Sequence, residues 1–201
     1  MDSTLITIEC IDEIADFCDK GDEVAAITAA AMRGEITNFA ESLRRRVALL
    51  AGLPEGALLR VYQERLKLTP GAEALMSAVR ERGLRTLLVS GGFTFFTDRI
   101  KERLGFDFAL SNVLEIRDGR LTGSVIGAVV DGAAKLAALE TACASLGVTP
   151  EASIVLGDGA NDLPMLKRAG LSVAYHAKPA VLEATDIAIR FGGLDVLLEW
   201  L

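Results

Sequence analysis

Between Thr69 and the C-terminus, short apolar runs alternate with stretches patterned for helix, and that alternation restricts the fold more than any other feature of the chain. A strand that leads through a helix to the next strand pairs with it in parallel, and helices then cover both faces of the sheet. The runs "RTLLVS", "ASIVLG", "LSVAYH" and "DIAIRF" are the predicted strands, with a shorter one near "FDFALS". Helices are expected over "PGAEALMSAVRERG", about 93–104, about 133–146, "NDLPMLKRAG", about 179–184 and a last segment ending at Trp200. "NVLEIRDG" and "RLTGSVIG" alternate around Asp118-Gly119, the pattern of an antiparallel hairpin.

Residues 8–66 read differently. Apolar residues recur there at helical spacing, and Gly21, Gly34 and Gly52-x-Pro54 punctuate them, which predicts a small all-helical module. No apolar run approaches the roughly 18 residues of a membrane span, and no basic, apolar and small-residue sequence marks a secretory signal. A cytoplasmic protein without membrane association is therefore expected. Cys10, Cys18 and Cys143 form no C-x-x-C pair, which suits reduced thiols rather than a disulfide framework or zinc site. A net charge of −7, with no basic stripe interleaved with aromatics, argues against nucleic acid as a partner. An acidic chain that handles an anion needs a local positive source, from a metal ion, a basic side chain or helix N-termini.

Three places offer such chemistry. "VSGGF" ends a strand in Ser90, Gly91 and Gly92 just before a helix, so backbone N–H groups stand clear to meet a phosphate; a plain Ser90 helix cap uses the same residues. "GDGANDLPM" sets Asp158, Asn161 and Asp162 around a glycine-rich turn at another strand end. Such hard oxygens suit Mg²⁺, which takes one or two protein carboxylates and leaves other positions to water and phosphate. Lys135 falls in the first turn of its helix, where a lone Lys is ordinarily solvated, but its place between the other two loops brings it toward the same anion. In the helical module, Glu9 and Arg46 are the charges that would suit an ammonium and a carboxylate if their faces turned to the sheet's rim. His176, the only histidine, has no visible partner and is given no catalytic role.

The order Asp2-Ser3-Thr4, Ser90-Gly91-Gly92-Phe93, Lys135 and Gly157-Asp158-Gly159-Ala160-Asn161-Asp162 resembles the haloacid dehalogenase (HAD) superfamily. Within it, "IECIDEIADF", "AMRGEI", "SLRRRVALL", "VSGGFTFF", "RLTGSVIG", "GDGANDLPM" and "AYHAKP" resemble the phosphoserine phosphatase family nearly from end to end. The resemblance implies an α/β fold: a Rossmann-like core with a parallel sheet, a helical-bundle cap and a small β-hairpin. The implied division is 5–68 for the cap, and 1–4 with 69–201 for the core. It further implies Mg²⁺ as cofactor and hydrolysis of O-phospho-L-serine to serine and phosphate through an aspartyl-phosphate, a step of serine biosynthesis. The implied partner is a small phosphomonoester, and the protein a monomer or homodimer.

Carried over by position, the resemblance makes Asp2 the general acid and base. Asp2, through its carbonyl, and Asp158 hold the metal, while Ser90, Gly91 and Lys135 hold phosphoryl oxygens. Asn161 and Asp162 support the metal and attack geometry, Glu9 and Arg46 contact the headgroup, and Met32 and Phe39 pack nearby. The family's first motif is Asp-x-Asp-x-Thr; Asp2 matches its second Asp, so the attacking Asp and the first core strand would stand just before Met1. Lacking them, the chain is expected either to pair the gap with another segment or copy, or to be poorly stable. Two other readings stay open: a non-catalytic relative that binds Mg²⁺ and phosphate ligands, and an enzyme for another small phosphomonoester such as phosphohomoserine.

Overall fold

The computed structural model describes residues 1–32 and 35–201. The helical periodicity of the first third is realised as α1 (Cys10–Asp16), α2 (Gly21–Met32), α3 (Phe39–Ala48) and α4 (Gly56–Arg60), which continues into a single π turn, Val61–Arg65. The start of α3 follows from Asn38, whose side-chain oxygen accepts the Glu41 N–H at 3.0 Å and satisfies one of the free donors of the first turn. Arg45 and Arg46 fall in its last turn, next to the negative end of the helix dipole. The inward faces bury Ile14, Val24, Val47, Leu50 and Leu58.

The second part contains α5 (Ala72–Glu81), β1 (Leu87–Phe93), α6 (Thr94–Leu104), β2 (Phe108–Arg117), β3 (Arg120–Ile126), α7 (Gly132–Ser145), β4 (Ile154–Gly157), α8 (Leu163–Leu166), β5 (Leu171–Tyr175), α9 (Pro179–Leu182) and β6 (Ile187–Ile189). The pairing is parallel for β1 with β2, β4 with β5 and β5 with β6, as the strand–helix alternation predicts. β2 and β3 form the antiparallel hairpin, turning where Asp118 and Gly119 take positive φ of 50° and 71°. Both central residues of the tightest hairpin turns need that region, which favours Asp-Gly.

Several expected boundaries move. "FDFALS" and "NVLEIR" are one strand, β2, whose first part pairs with β1 and whose second part pairs with β3. "NDLPMLKRAG" is divided into a 3-10 turn at Ala160–Asp162 and the short α8, because the turn around Asp162 precedes Pro164 in the first helical turn. The last segment, Leu194–Trp200, is 3-10 rather than α. The strands form two sheets, β1-β2-β3 and β4-β5-β6. Among the described residues, β1 and β4 each pair on one side only.

A single apolar cluster joins the helices to the first sheet: Ile14, Leu50 and Leu58 share it with Phe93, Phe96 and Leu114. Fully burying side chains of this size stabilises the fold by about 2 kcal/mol each. The hairpin reinforces the contact, since Leu121 N–H donates to Leu53 O at 2.9 Å and Gly52 N–H to Leu121 O at 2.8 Å. These bonds hold the helices over the carboxyl ends of the strands.

Candidate active site

A cavity of about 1210 Å³ opens between the strand ends and the helices. Its floor is made by Asp2, Ser90 to Phe93, Lys135 and Asp158 to Asp162, and its helical wall by Glu9, Asp12, Phe39 and Arg46. Close approach explains two of the glycines. A methyl group at Gly91 would come within 2.8 Å of the Phe39 ring, and one at Gly157 within 2.7 Å of the Asp162 side chain.

The floor is densely bonded. Lys135, 5% exposed, donates from Nζ to Asp162 Oδ1 at 2.6 Å. The other oxygen of Asp162 accepts Gly159 N–H at 3.2 Å and Asp158 N–H at 3.3 Å. Although burial pushes the Asp162 carboxyl upward, the Lys135 ammonium and the Gly159 N–H hold it below its usual range. Thr4 Oγ1 donates to Asp158 Oδ1 at 2.8 Å. Burial pushes Asp158 up, with the Asp162 charge adding to burial and the Thr4 bond opposing it. Burial also pushes Asp2 up to about 6, with Glu9 adding, while the Cys10 thiol at 3.4 Å and Lys135 oppose. Carboxylates taken from water without enough nearby positive charge behave in this way.

Beneath the floor, Asn112 is 2% exposed and ties three segments together. Its Nδ2 donates to Gly91 O at 2.8 Å and Gly92 O at 3.2 Å, and its Oδ1 accepts Val130 N–H at 2.8 Å. Gly92 N–H donates to Ser90 Oγ at 2.9 Å. The glycine pair is therefore not an open turn before a helix, as the sequence suggests: β1 runs through both glycines, and α6 starts only at Thr94. Ser90 faces the cavity from a strand rather than capping that helix.

The helical wall is sparsely bonded. Arg46 is largely buried, and its Nε donates to Ser42 O at 3.4 Å. Burial lowers its pKa, opposed by the Asp12 and Glu9 carboxylates. Glu9, exposed at the rim, accepts Ser3 Oγ at 2.5 Å. Asp12 Oδ1 is buried and, among the described residues, has no hydrogen-bond partner.

Asp2, Glu9, Phe39, Arg46, Ser90, Gly91, Lys135, Asp158, Asn161 and Asp162, all singled out in the sequence, line this one cavity. The side chain of Met32 lies outside the described residues. Lys135 is a correction to the ordinary behaviour of a lone Lys: it is buried and ion-paired, because its first-turn position on α7 faces the Asp158 loop. His176 stays apart from the chemistry, exposed, with Nε2 3.1 Å from Gly192 O. Sequence reasoning missed Asn112 and Asp12. A buried Asn in the middle of an apolar strand was the available signal for Asn112; Asp12 looked like any acidic residue in a first helical turn.

Among the described residues, no group of three or more His, Cys, Asp or Glu side chains is arranged to hold a metal ion. Mg²⁺ asks for less: one or two carboxylates with other hard oxygens, including water. Asp158 supplies a desolvated carboxylate beside the Asp2 segment, a donor set of the right chemistry and in deficit of positive charge.

The family model for haloacid dehalogenase-like hydrolases matches residues 1–167. A phosphoserine phosphatase from Albidiferax ferrireducens is 57% identical over 203 residues, covering 99% of this chain and 86% of the relative. One from Polaromonas is 58% identical with the same coverage. Among solved structures, a substrate-bound phosphoserine phosphatase complex and a phospho-aspartyl intermediate analogue of phosphoserine phosphatase each superpose with a TM-score of 0.93 at 42% identity. They cover 100% of this chain and 95% of theirs. The chain belongs to the haloacid dehalogenase-like hydrolases and, within them, to the phosphoserine phosphatase enzymes.

Proposed function

We propose that the protein hydrolyses O-phospho-L-serine to L-serine and inorganic phosphate in the cytoplasm, with the helices of 5–68 acting as the cap over a core of 1–4 and 69–201. The observation that carries this reading is one cavity lined by Ser90, Gly91 and Lys135, whose N–H and O–H groups suit a phosphoryl group, and by Arg46, which suits a carboxylate. The substrate-bound relative supports it.

Asp158 and the main-chain carbonyl of Asp2 would hold Mg²⁺. When bound, the ion neutralises phosphoryl oxygen charge. Lys135 and the Ser90–Gly91 segment bind the phosphoryl oxygens, where fixed donors stabilise charge without reorganising. Asp162 fixes the Lys135 ammonium in place. Arg46 takes the substrate carboxylate and Glu9 the ammonium, while Phe39 limits the water around the ester.

The mechanism that the family motif implies needs an attacking Asp carboxylate two positions before the residue that Asp2 matches. The oxygen of that carboxylate bonds to phosphorus as the phosphorus–serine oxygen bond breaks, and Asp2 gives its proton to the departing serine oxygen. Asp2 then takes a proton from water as that water attacks phosphorus, releasing phosphate and freeing the carboxylate. The phospho-aspartyl analogue among the similar structures supports this sequence. Splitting the barrier in this way is what a covalent intermediate achieves.

The test is phosphate release from O-phospho-L-serine by the chain carrying Asp directly before Met1, preceded by an apolar strand. Turnover that requires Mg²⁺ and falls about 10³-fold in Asp2→Asn is expected. No turnover of phosphoserine alongside brisk turnover of an ester without an amino-acid headgroup would overturn the substrate.

A further inference from the structure

Cys10 opens α1 and is fully buried behind the cavity, whose lining includes Asp2 but not Cys10. Its thiol donates to Asp2 Oδ1, with the sulfur 3.4 Å from the oxygen. Among the described residues, no other hydrogen bond reaches the Asp2 side chain. The second oxygen, Oδ2, lies over the segment that suits a phosphoryl group: a methyl group built on Gly92 would come within 3.0 Å of it and 3.1 Å of Ser90 Oγ. The torsion that turns a carboxyl group is broad unless one of its oxygens is held. A thiol is a weak donor, but a hydrogen bond gains strength where water is excluded. The Cys10 contact therefore decides which oxygen of Asp2 points back into the protein and which meets the ester.

We propose that Cys10 is a positioning residue for proton transfer: its thiol holds Asp2 Oδ1, so that Oδ2 carries the proton to the departing serine oxygen. The inference rests on the phosphoserine reading, with Asp2 as the acid, and names the residue that aims that acid. As the phosphorus–oxygen bond breaks, its electron pair stays on the serine oxygen, and the Oδ2 proton completes the hydroxyl. An alkoxide leaves poorly and depends on that proton, whereas a nitrophenolate carries its own negative charge and leaves without it. A misdirected acid thus slows the first kind of ester and spares the second. The comparison belongs on kcat/KM, which covers events up to phosphoryl transfer and leaves out the later attack of water.

The experiment compares O-phospho-L-serine with p-nitrophenyl phosphate, both with Mg²⁺, in the chain carrying Asp directly before Met1, preceded by an apolar strand. Cys10→Ala is expected to lower kcat/KM for phosphoserine about tenfold, the scale of one hydrogen bond, and to leave the aryl ester within about twofold. Cys10→Ser keeps a donor and should bring phosphoserine back to within about threefold of the parent. Equal losses on both esters, unchanged rates in Cys10→Ala, or no recovery in Cys10→Ser would overturn the inference. A second readout needs no turnover and uses the chain as it stands: the S–H stretching band of Cys10, isolated by subtracting the infrared spectrum of Cys10→Ala. That band should move to higher frequency in Asp2→Ala, and less far in Asp2→Asn, as the acceptor is lost or weakened. A band that stays in place in both variants would overturn the inference. A parent that releases no phosphate from phosphoserine would instead overturn the phosphoserine reading, and an Asp2→Asn variant that slows both esters equally would overturn Asp2 as the acid. Selective slowing of phosphoserine by Asp2→Asn but not by Cys10→Ala would overturn the role of Cys10 alone.

Discussion

The two ends of the cavity are built differently. At the floor, Lys135, Asp162, Asp158 and Thr4 bond to one another, and Asn112 bonds the Gly91 and Gly92 carbonyls and the Val130 N–H, so the donors for a phosphoryl group are held before any ligand arrives. At the helical wall, Arg46 has one long bond to a carbonyl and Asp12 has an oxygen with no bond among the described residues. The floor is common to any phosphate ester and needs preorganisation; the wall distinguishes one ester from another and keeps its capacity for the ligand. Chemistry and selectivity should therefore be separable by mutation.

The largest effect should come from breaking the floor. Lys135→Ala removes the partner of a carboxylate whose side chain is only 8% exposed. In the chain carrying Asp directly before Met1, phosphate release from every ester should fall about 10³-fold, and chemical denaturation should register a loss of about 3 kcal/mol for the uncompensated charge. A variant that loses activity on phosphoserine only would erase the contrast between floor and wall. In the chain carrying Asp directly before Met1, Arg46→Ala should do the reverse: kcat/KM for O-phospho-L-serine drops about 10²-fold while that for an aryl phosphate changes little, because a lost carboxylate contact matters only where a carboxylate exists.

Smaller effects test the scaffold. Asn112→Ala leaves the Val130 N–H and the Gly91 carbonyl without their shared partner, and urea unfolding should read a loss of about 2 kcal/mol. The smallest concerns Asp107, far from the cavity. Despite some burial, bonds from the Thr86 N–H and hydroxyl and from Arg85 hold its carboxyl below the usual range. A depressed pKa stabilises the fold above the ordinary carboxylate value of about 4 and loses that contribution as the pH falls through the folded value. Asp107→Asn should thus lower the melting temperature slightly at neutral pH, and the difference from the parent should narrow in acid.

The same contrast explains what the sequence made legible. The floor was readable because its chemistry is local: Asp158, Asn161 and Asp162 stand within one turn, and a strand running into Ser90-Gly91-Gly92 offers either a phosphate cradle or a helix cap, which the neighbouring motifs then decide. The hairpin was equally plain, since Asp118-Gly119 dictates its own turn. What escaped depends on partners distant in sequence. Asn112 bonds Gly91 across 21 positions, and Thr4 bonds Asp158 across 154. Burial of Lys135 follows from where α7 meets the Asp158 loop, which periodicity does not encode. The run of β1 through its glycines was missed for the opposite reason: local rules favour a turn there, but the strand continues irregularly between Val89 and Phe93, where the Asn112 side chain from β2 bonds both glycine carbonyls. Glu9 and Arg46 stood out as charges on helix faces and gained their headgroup roles from the resemblance, while Asp12 lies on the same helix as ordinary surface acids and is distinguished only by the cavity it meets.

The most direct test of the account is a structure of the protein with Mg²⁺ and O-phospho-L-serine bound. The phosphoryl oxygens should lie within hydrogen-bond reach of Ser90 and Lys135, with the carboxylate on Arg46. A phosphoryl group bound away from Ser90 and Lys135, or a headgroup turned from the helical wall, would contradict it.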